Sequence, residues 1–262
     1  MLRKLMKYEF MAMGRIFLPL YGALLINSIF NSIFGRLELD VPTIVGILLS
    51  VLLICGILVV TFLLIIQRFW TNLLSSEGYL MMTLPVRTDY IILSKLFVAS
   101  IWSVASTIVV TLAIFIMLSA GISFADIIES LKGVIGWIPL EQYQIAIVSV
   151  ELLVSIVLGT LSGTLLLYAC MSLSMLANKY RWLVAIGAYV AWTTAMQTVA
   201  VVFISVGAAS GLFDAIERFM RSFSTFGTIL LSFAAYIVVE SLLLSVYYIA
   251  TRYMLRSRLN LQ

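Results

Sequence analysis

The sequence predicts an all-α polytopic membrane protein with six transmembrane helices, and three observations carry that expectation. Only 11% of the 262 residues are charged and 63% are hydrophobic, where a soluble domain carries about 25% charge. The mean hydropathy is +1.15. Six separate stretches each supply the roughly 20 apolar residues that a helix needs to cross a bilayer core. Too little polar surface remains to cover a core in water, so lipid is the expected solvent.

Residues 1–15 read MLRKLMKYEFMAMGR, a basic start like that of a signal peptide. The apolar run behind it is long and ends without a small-x-small cleavage site, so the segment is expected to be retained. Leu2, Met6, Phe10 and Met13 recur at helical spacing beside Arg3, Lys4 and Lys7, which predicts an amphipathic interfacial helix on the inner leaflet. A basic flank that only sets topology is the competing reading. The first, second and third spans are expected at 16–34, 44–66 and 96–120. Between the second and third lies the segment 67–95, too polar to span yet far richer in Leu, Met and Tyr than a solvated loop. A short apolar helix there needs cover from lipid, from the chain itself or from a partner's groove. A partner-docking helix and an interfacial elbow both fit. Pro85 stops the helix, and Thr88 is placed to cap the third span.

An outer loop at 121–144 precedes the fourth span, 145–177. At about 1.5 Å per residue that span is too long to stand upright, so it must tilt or project. A hairpin around 178–181 leads to the fifth span, 182–209; the outer loop 210–225 leads to the sixth, 226–254. Both outer loops carry helical periodicity. In the first, Phe124, Ile127, Ile128 and Leu131 follow a capping box of Ser123 and Asp126. In the second, Leu212, Ile216, Phe219 and Phe223 share a face. Each is readable as cover over the mouth of a pathway or as an interfacial anchor. No soluble domain interrupts the chain, so residues 1–262 are expected to form a single transmembrane domain.

Basic residues set the orientation. With the N-terminus inside, 12 of the 16 lysines and arginines fall in cytoplasmic segments, leaving Arg36, Lys132, Arg218 and Arg221 outside. Glu38, Asp40, Asp126, Glu129, Glu141, Asp214 and Glu217 also fall outside. Both termini are therefore expected in the cytoplasm, and the net charge of +4 is a topology signal rather than a nucleic-acid surface. The chain has no histidine, which removes the commonest general base and metal ligand. Cys55 and Cys170 sit inside apolar runs and read as packing residues. No internal repeat is visible, so an inverted-repeat transporter gains no support.

Polar residues inside spans are the candidate site. Glu240 sits near the middle of the sixth, where an ionised carboxylate costs roughly 2.5–3.5 kcal/mol on insertion scales. It must face protein or water, or be protonated. Ser232 and Tyr236 precede it on the same face. Thr194 and Gln197 of the fifth span, and Ser103, Thr107 and Thr111 of the third, are candidates to line the same interior. Glu240 is open to two readings: attraction of a cationic peptide or control of an opening, and a structural hydrogen bond between helices. Glu151 lies about 9 Å inside the start of its span, within reach of the outer interface, and a pathway role stays open beside that. Ser155, Gly159 and Gly163 make a small-residue stripe suited to close helix packing. Trp102 and Trp192 read as lipid-facing or core residues.

The run EGYLMMTLPV followed by SKL resembles the cytoplasmic segment of ABC-type export permeases from Gram-positive bacteria. The opening KYEFMAMGRIFLPLY and the closing TRYMLRSRLNLQ are also similar to the ends of that family. The resemblance implies a six-span class lacking a large extracellular domain, with a coupling helix between spans two and three that seats on a separate ATPase. The matching residues are Glu77, Gly78, Tyr79, Leu80 and Pro85. It further implies two ATPase subunits holding ATP and Mg, a second permease copy or a related permease, and residence in the bacterial plasma membrane. Since the chain contains no GxxxxGK[ST] phosphate loop, ATP hydrolysis is expected in a partner and no cofactor in this chain. The expected function is outward movement of an amphipathic substrate, such as an antimicrobial or other membrane-active peptide. The alternative is a non-transporting immunity or assembly protein of the membrane. An intramembrane enzyme ranks last, because Glu151 and Glu240 lie at different depths.

Overall fold

The computed structural model describes residues 2–71, 88–119, 126, 129, 133, 141–177 and 180–258. Among these it contains seven helices and no strand: α1 Leu2–Arg36, α2 Asp40–Phe69, α3 Thr88–Leu118, α4 Gln142–Ser174, α5 Arg181–Ala209, α6 Leu212–Met220 and α7 Thr225–Arg258. All but α6 are long and apolar enough to cross a membrane, and the chain is a multi-pass membrane protein. These six helices run from 29 to 35 residues, or about 44–53 Å at 1.5 Å per residue. Each exceeds a hydrocarbon core of about 30 Å. The excess length expected of the fourth span alone is thus common to all six.

The single domain expected from the sequence resolves into two compact units, Met1–Trp137 and Ile138–Gln262. In the first, α1 packs on both α2 and α3. The chain turns from α1 into α2 through Glu38, whose φ of 54° lies in the left-handed region. Asn27 then donates to the Gly46 carbonyl at 3.0 Å and to Ser50 Oγ at 2.6 Å. A side chain on Gly46 would stand 3.0 Å from Asn31 Oδ1, so the bare backbone is what lets Asn31 lie against α2. Tyr21 Oη pairs with Ser106 Oγ at 2.6 Å, and Thr61 Oγ1 pairs with the same Ser106 oxygen at 3.1 Å. One hydroxyl from each helix therefore meets at a single buried point. Further along, Ser32 meets Ser119 at 3.2 Å, so α1 and α3 run parallel.

Of the apolar face expected to meet lipid, Met6, Phe10 and Met13 pack toward the core shared with α3 instead. The helix passes from residue 2 to 36 without a break, and Met13 and Phe17 enter the core. Phe17 stacks on Trp102 with ring centroids 4.9 Å apart, and Phe10 lies at the same distance. Gly14 sits where an added Cβ would be 3.2 Å from the Trp102 ring. The helix runs on through Pro19, which has no N–H to donate to the Arg15 carbonyl, and Gly14 makes room for the indole. Trp102 is a core residue.

In the second unit α4 packs along α7 and beside α5. The α4 start is closed by the Glu141 backbone N–H donating to Gln144 Oε1 at 3.0 Å. Its most buried stretch is its last, from Tyr168 to Ser174, and the buried residues of α7 are also late: Tyr247, Thr251 and Leu255. Trp192 of α5 donates to Tyr247 Oη at 2.9 Å. Along α5 only Gly207 is buried. There the Phe213 ring of α6 lies so close that a Cβ would stand 2.9 Å from it.

Candidate functional site

Two polar constellations occur, one in each unit. In the first, Lys95 near the start of α3 carries a side chain only 2% exposed and meets Glu9 of α1 at 2.5 Å. Arg68, at the end of α2, stands 3.9 Å from the other oxygen of the same carboxylate. One acid thus draws together the start of α1, the end of α2 and the start of α3. Around it lies a cavity of about 350 Å³ lined by Tyr8, Glu9, Arg68, Ser94 and Lys95 among others. Sequence reasoning missed this cluster. A signal was present, because Glu9 is the sole acid in the first 37 residues. Its partners, however, lie in remote parts of the chain.

The segment between these flanks contains Glu77, Gly78, Tyr79, Leu80 and Pro85, which lie outside the described residues. The first outer periodic stretch, with Ser123, Phe124 and Leu131, is likewise outside them. The second forms α6, but its packing residue is Phe213, edge-on to Phe203 with centroids 6.2 Å apart. Leu212, Ile216 and Phe219 remain exposed, a face suited to the interfacial region of a bilayer.

In the second unit Glu240 is half-buried near the middle of α7. Ser162 of α4 donates to its Oε2 at 2.5 Å, a charge-assisted bond if the carboxylate is ionised. Tyr236 lies one turn earlier on the same face, and its hydroxyl passes over α4 at Gly159, where a Cβ would stand 3.0 Å away. Beyond it opens a groove of about 530 Å³ between Ser155, Ile156 and Gly159 on α4 and Ser232, Phe233 and Tyr236 on α7. The small-residue stripe follows Ser155, Gly159 and Ser162 rather than reaching Gly163, which is exposed with open space around it. Ser162 is a member that sequence reasoning did not single out. It follows Ser155 by seven residues, two helical turns, and so shares its face.

Glu151 lies one turn before Ser155, and its Oε2 is buried without a hydrogen-bond partner. Ser155 Oγ is likewise buried and unpartnered. Gln197 is exposed on α5 and takes no part in the groove. Thr107 and Thr111 of α3 donate to carbonyls of their own helix. Glu240 and Tyr236 are thus brought together with α4, Glu151 lies farther along the α4 face, and Gln197 stands apart. No family model, curated protein or solved structure matches the chain.

Proposed function

We propose that the chain is the membrane-spanning permease subunit of an ATP-binding-cassette exporter, set in a bacterial plasma membrane with both termini in the cytoplasm. Two ATPase subunits, supplied in trans with their ATP and Mg, drive it. A second permease, identical or related, completes the transporter. Its cargo is an amphipathic molecule moved outward, with membrane-active peptides as the first candidates. The observation that carries this reading is the anchoring of both flanks of residues 72–87. Arg68 stands at the end of α2 on one side, Lys95 in the second turn of α3 on the other, and both meet Glu9 of α1. A push on an apolar segment so flanked reaches three spans together, because a packed core transmits displacement. The family resemblance of EGYLMMTLPV supports the same role, with Glu77, Gly78, Tyr79, Leu80 and Pro85 as the contact with the ATPase.

The test is co-purification of the tagged chain from its native membrane, followed by an assay for ATP hydrolysis. An ATP-hydrolysing subunit is expected to accompany the wild type and to be lost from Leu80→Asp. A complex that persists in Leu80→Asp overturns the docking assignment. Absence of any ATPase leaves the reading of a non-transporting immunity or assembly protein.

A further inference from the structure

We infer that the groove between α4 and α7 binds a lipophilic cation: an amphiphile whose ammonium or guanidinium group is drawn to Glu240 past Tyr236, and whose apolar body lies along Ile156 and Phe233. Charge is the first argument. No lysine or arginine occurs between Lys132 and Lys179, between Arg181 and Arg218, or between Arg221 and Arg252. The spans of this unit therefore carry two carboxylates in their apolar lengths, Glu151 and Glu240, and no cation to answer them. A carboxylate inside a bilayer is costly unless it is answered by a counter-charge or by donors. Only the hydroxyls of Ser162 and Tyr236 engage the Glu240 carboxylate, neither brings a positive charge, and a carboxylate has further lone pairs to fill.

The second argument is independent of the acids. Ser155 lines the groove at 6% exposure, and its hydroxyl has no partner. Serines in these helices commonly donate to a carbonyl three or four residues back, as Ser149 and Ser172 do. A buried hydroxyl left unmatched is destabilising and fits a ligand's polar group. Shape is the third. The volume of about 530 Å³ falls within the roughly 300–1,000 Å³ of small-molecule sites, and its walls are apolar apart from these hydroxyls. Phe233 presents an aromatic ring there, to which a cation is also attracted. Glu151 precedes Ser162 by 11 residues, or about 16 Å along the helix, so one cation cannot meet both acids. Glu240 is the anchor, and Glu151 is a second station farther along the α4 face.

The inference deepens the export reading by naming the cargo's chemical class, and it rests on that reading only in calling the ligand a cargo. Its test uses the full chain in lipid nanodiscs without any ATPase. The probe is dansyl-diaminododecane, which keeps one free ammonium, beside its neutral N-acetylated analogue. Saturable binding of the amine is expected, about tenfold tighter than the analogue. Glu240→Gln is expected to remove that preference, and Glu151→Gln to reduce it about threefold. Ser232→Phe, at an exposed groove position, is expected to weaken both probes, and it decides the matter if Glu240→Gln does not fold. Equal binding of amine and analogue overturns the proposal, as does binding unchanged by Glu240→Gln or by Ser232→Phe. Amine binding in a chain that recruits no ATPase keeps the site and removes only the export reading.

Discussion

Lys95 illustrates how one side chain can organise three helices. An ammonium that is 2% exposed needs a close counter-charge, and Glu9 supplies it at 2.5 Å, itself only 13% exposed. Arg68, 29% exposed and 3.9 Å away, is the weaker partner. Removing one member of a buried pair costs about 3–5 kcal/mol, whereas an exposed pair is worth about 0–1 kcal/mol. Lys95→Ala is therefore expected to lower the thermal midpoint of the purified protein far more than Arg68→Ala, which should leave it nearly unchanged. Fluorescence-monitored melting in detergent checks this; equal effects would mean that the pair is screened by solvent. Glu151 and Glu240 were legible at this scale, since an acid amid apolar residues stands out locally, whereas Glu9 among basic residues was not singled out. Which residues answer these acids was not legible. Ser162 and Glu240 are 78 positions apart and Lys95 and Glu9 are 86, beyond any periodicity a window can detect.

At the scale of elements, the six long helices could be read from apolar run length, and their ends agree with the expected spans to within a helical turn or two at most positions. The phase of each helix was harder to read. Met6, Phe10 and Met13 form an apolar stripe equally suited to lipid or to protein, and the structure lays it toward Trp102. In α6 the periodic face was recognised, yet the contact that holds the helix comes from Phe213, one position away from Leu212. Gly207 makes that contact possible. Gly207→Val is expected to force Phe213 out of place, at a cost of about 1–3 kcal/mol for overpacking. Hydrogen exchange should then rise across Leu212–Met220 while α1, in the other unit, stays protected. Unchanged exchange in α6 would show that it is held by something other than Phe213.

At the scale of the whole molecule, two units differ in how they are filled, one with three helices and one with four among the described residues. The first has a continuous apolar core of Phe17, Tyr21, Leu24, Ile57 and Trp102, with the Tyr21–Ser106–Thr61 hydroxyl cluster inside it. The second is dense only at the late turns of α4 and α7, and α5 exposes nearly its whole length. Residues 1–137 expressed alone are accordingly expected to insert into membranes and to melt cooperatively, because α1, α2 and α3 share one buried core and its hydroxyl cluster. Aggregation of that fragment under conditions where the full chain is monodisperse would count against an autonomous first unit. The exposed α5 face calls for cover by lipid or, in the export reading, by a second permease.

Sequence by itself determined that this chain is helical and crosses a membrane several times. Apolar run length and scarcity of charge are local properties, and a bilayer admits few backbone solutions. Tertiary structure alone decided that Glu9 clamps three helices, that Ser162 rather than a basic residue answers Glu240, and that Ser155 is left unmatched beside a groove. The reason is physical: in an apolar helix every face looks alike to a hydropathy count. Only side-chain contact between distant turns selects which face is buried and which polar groups meet.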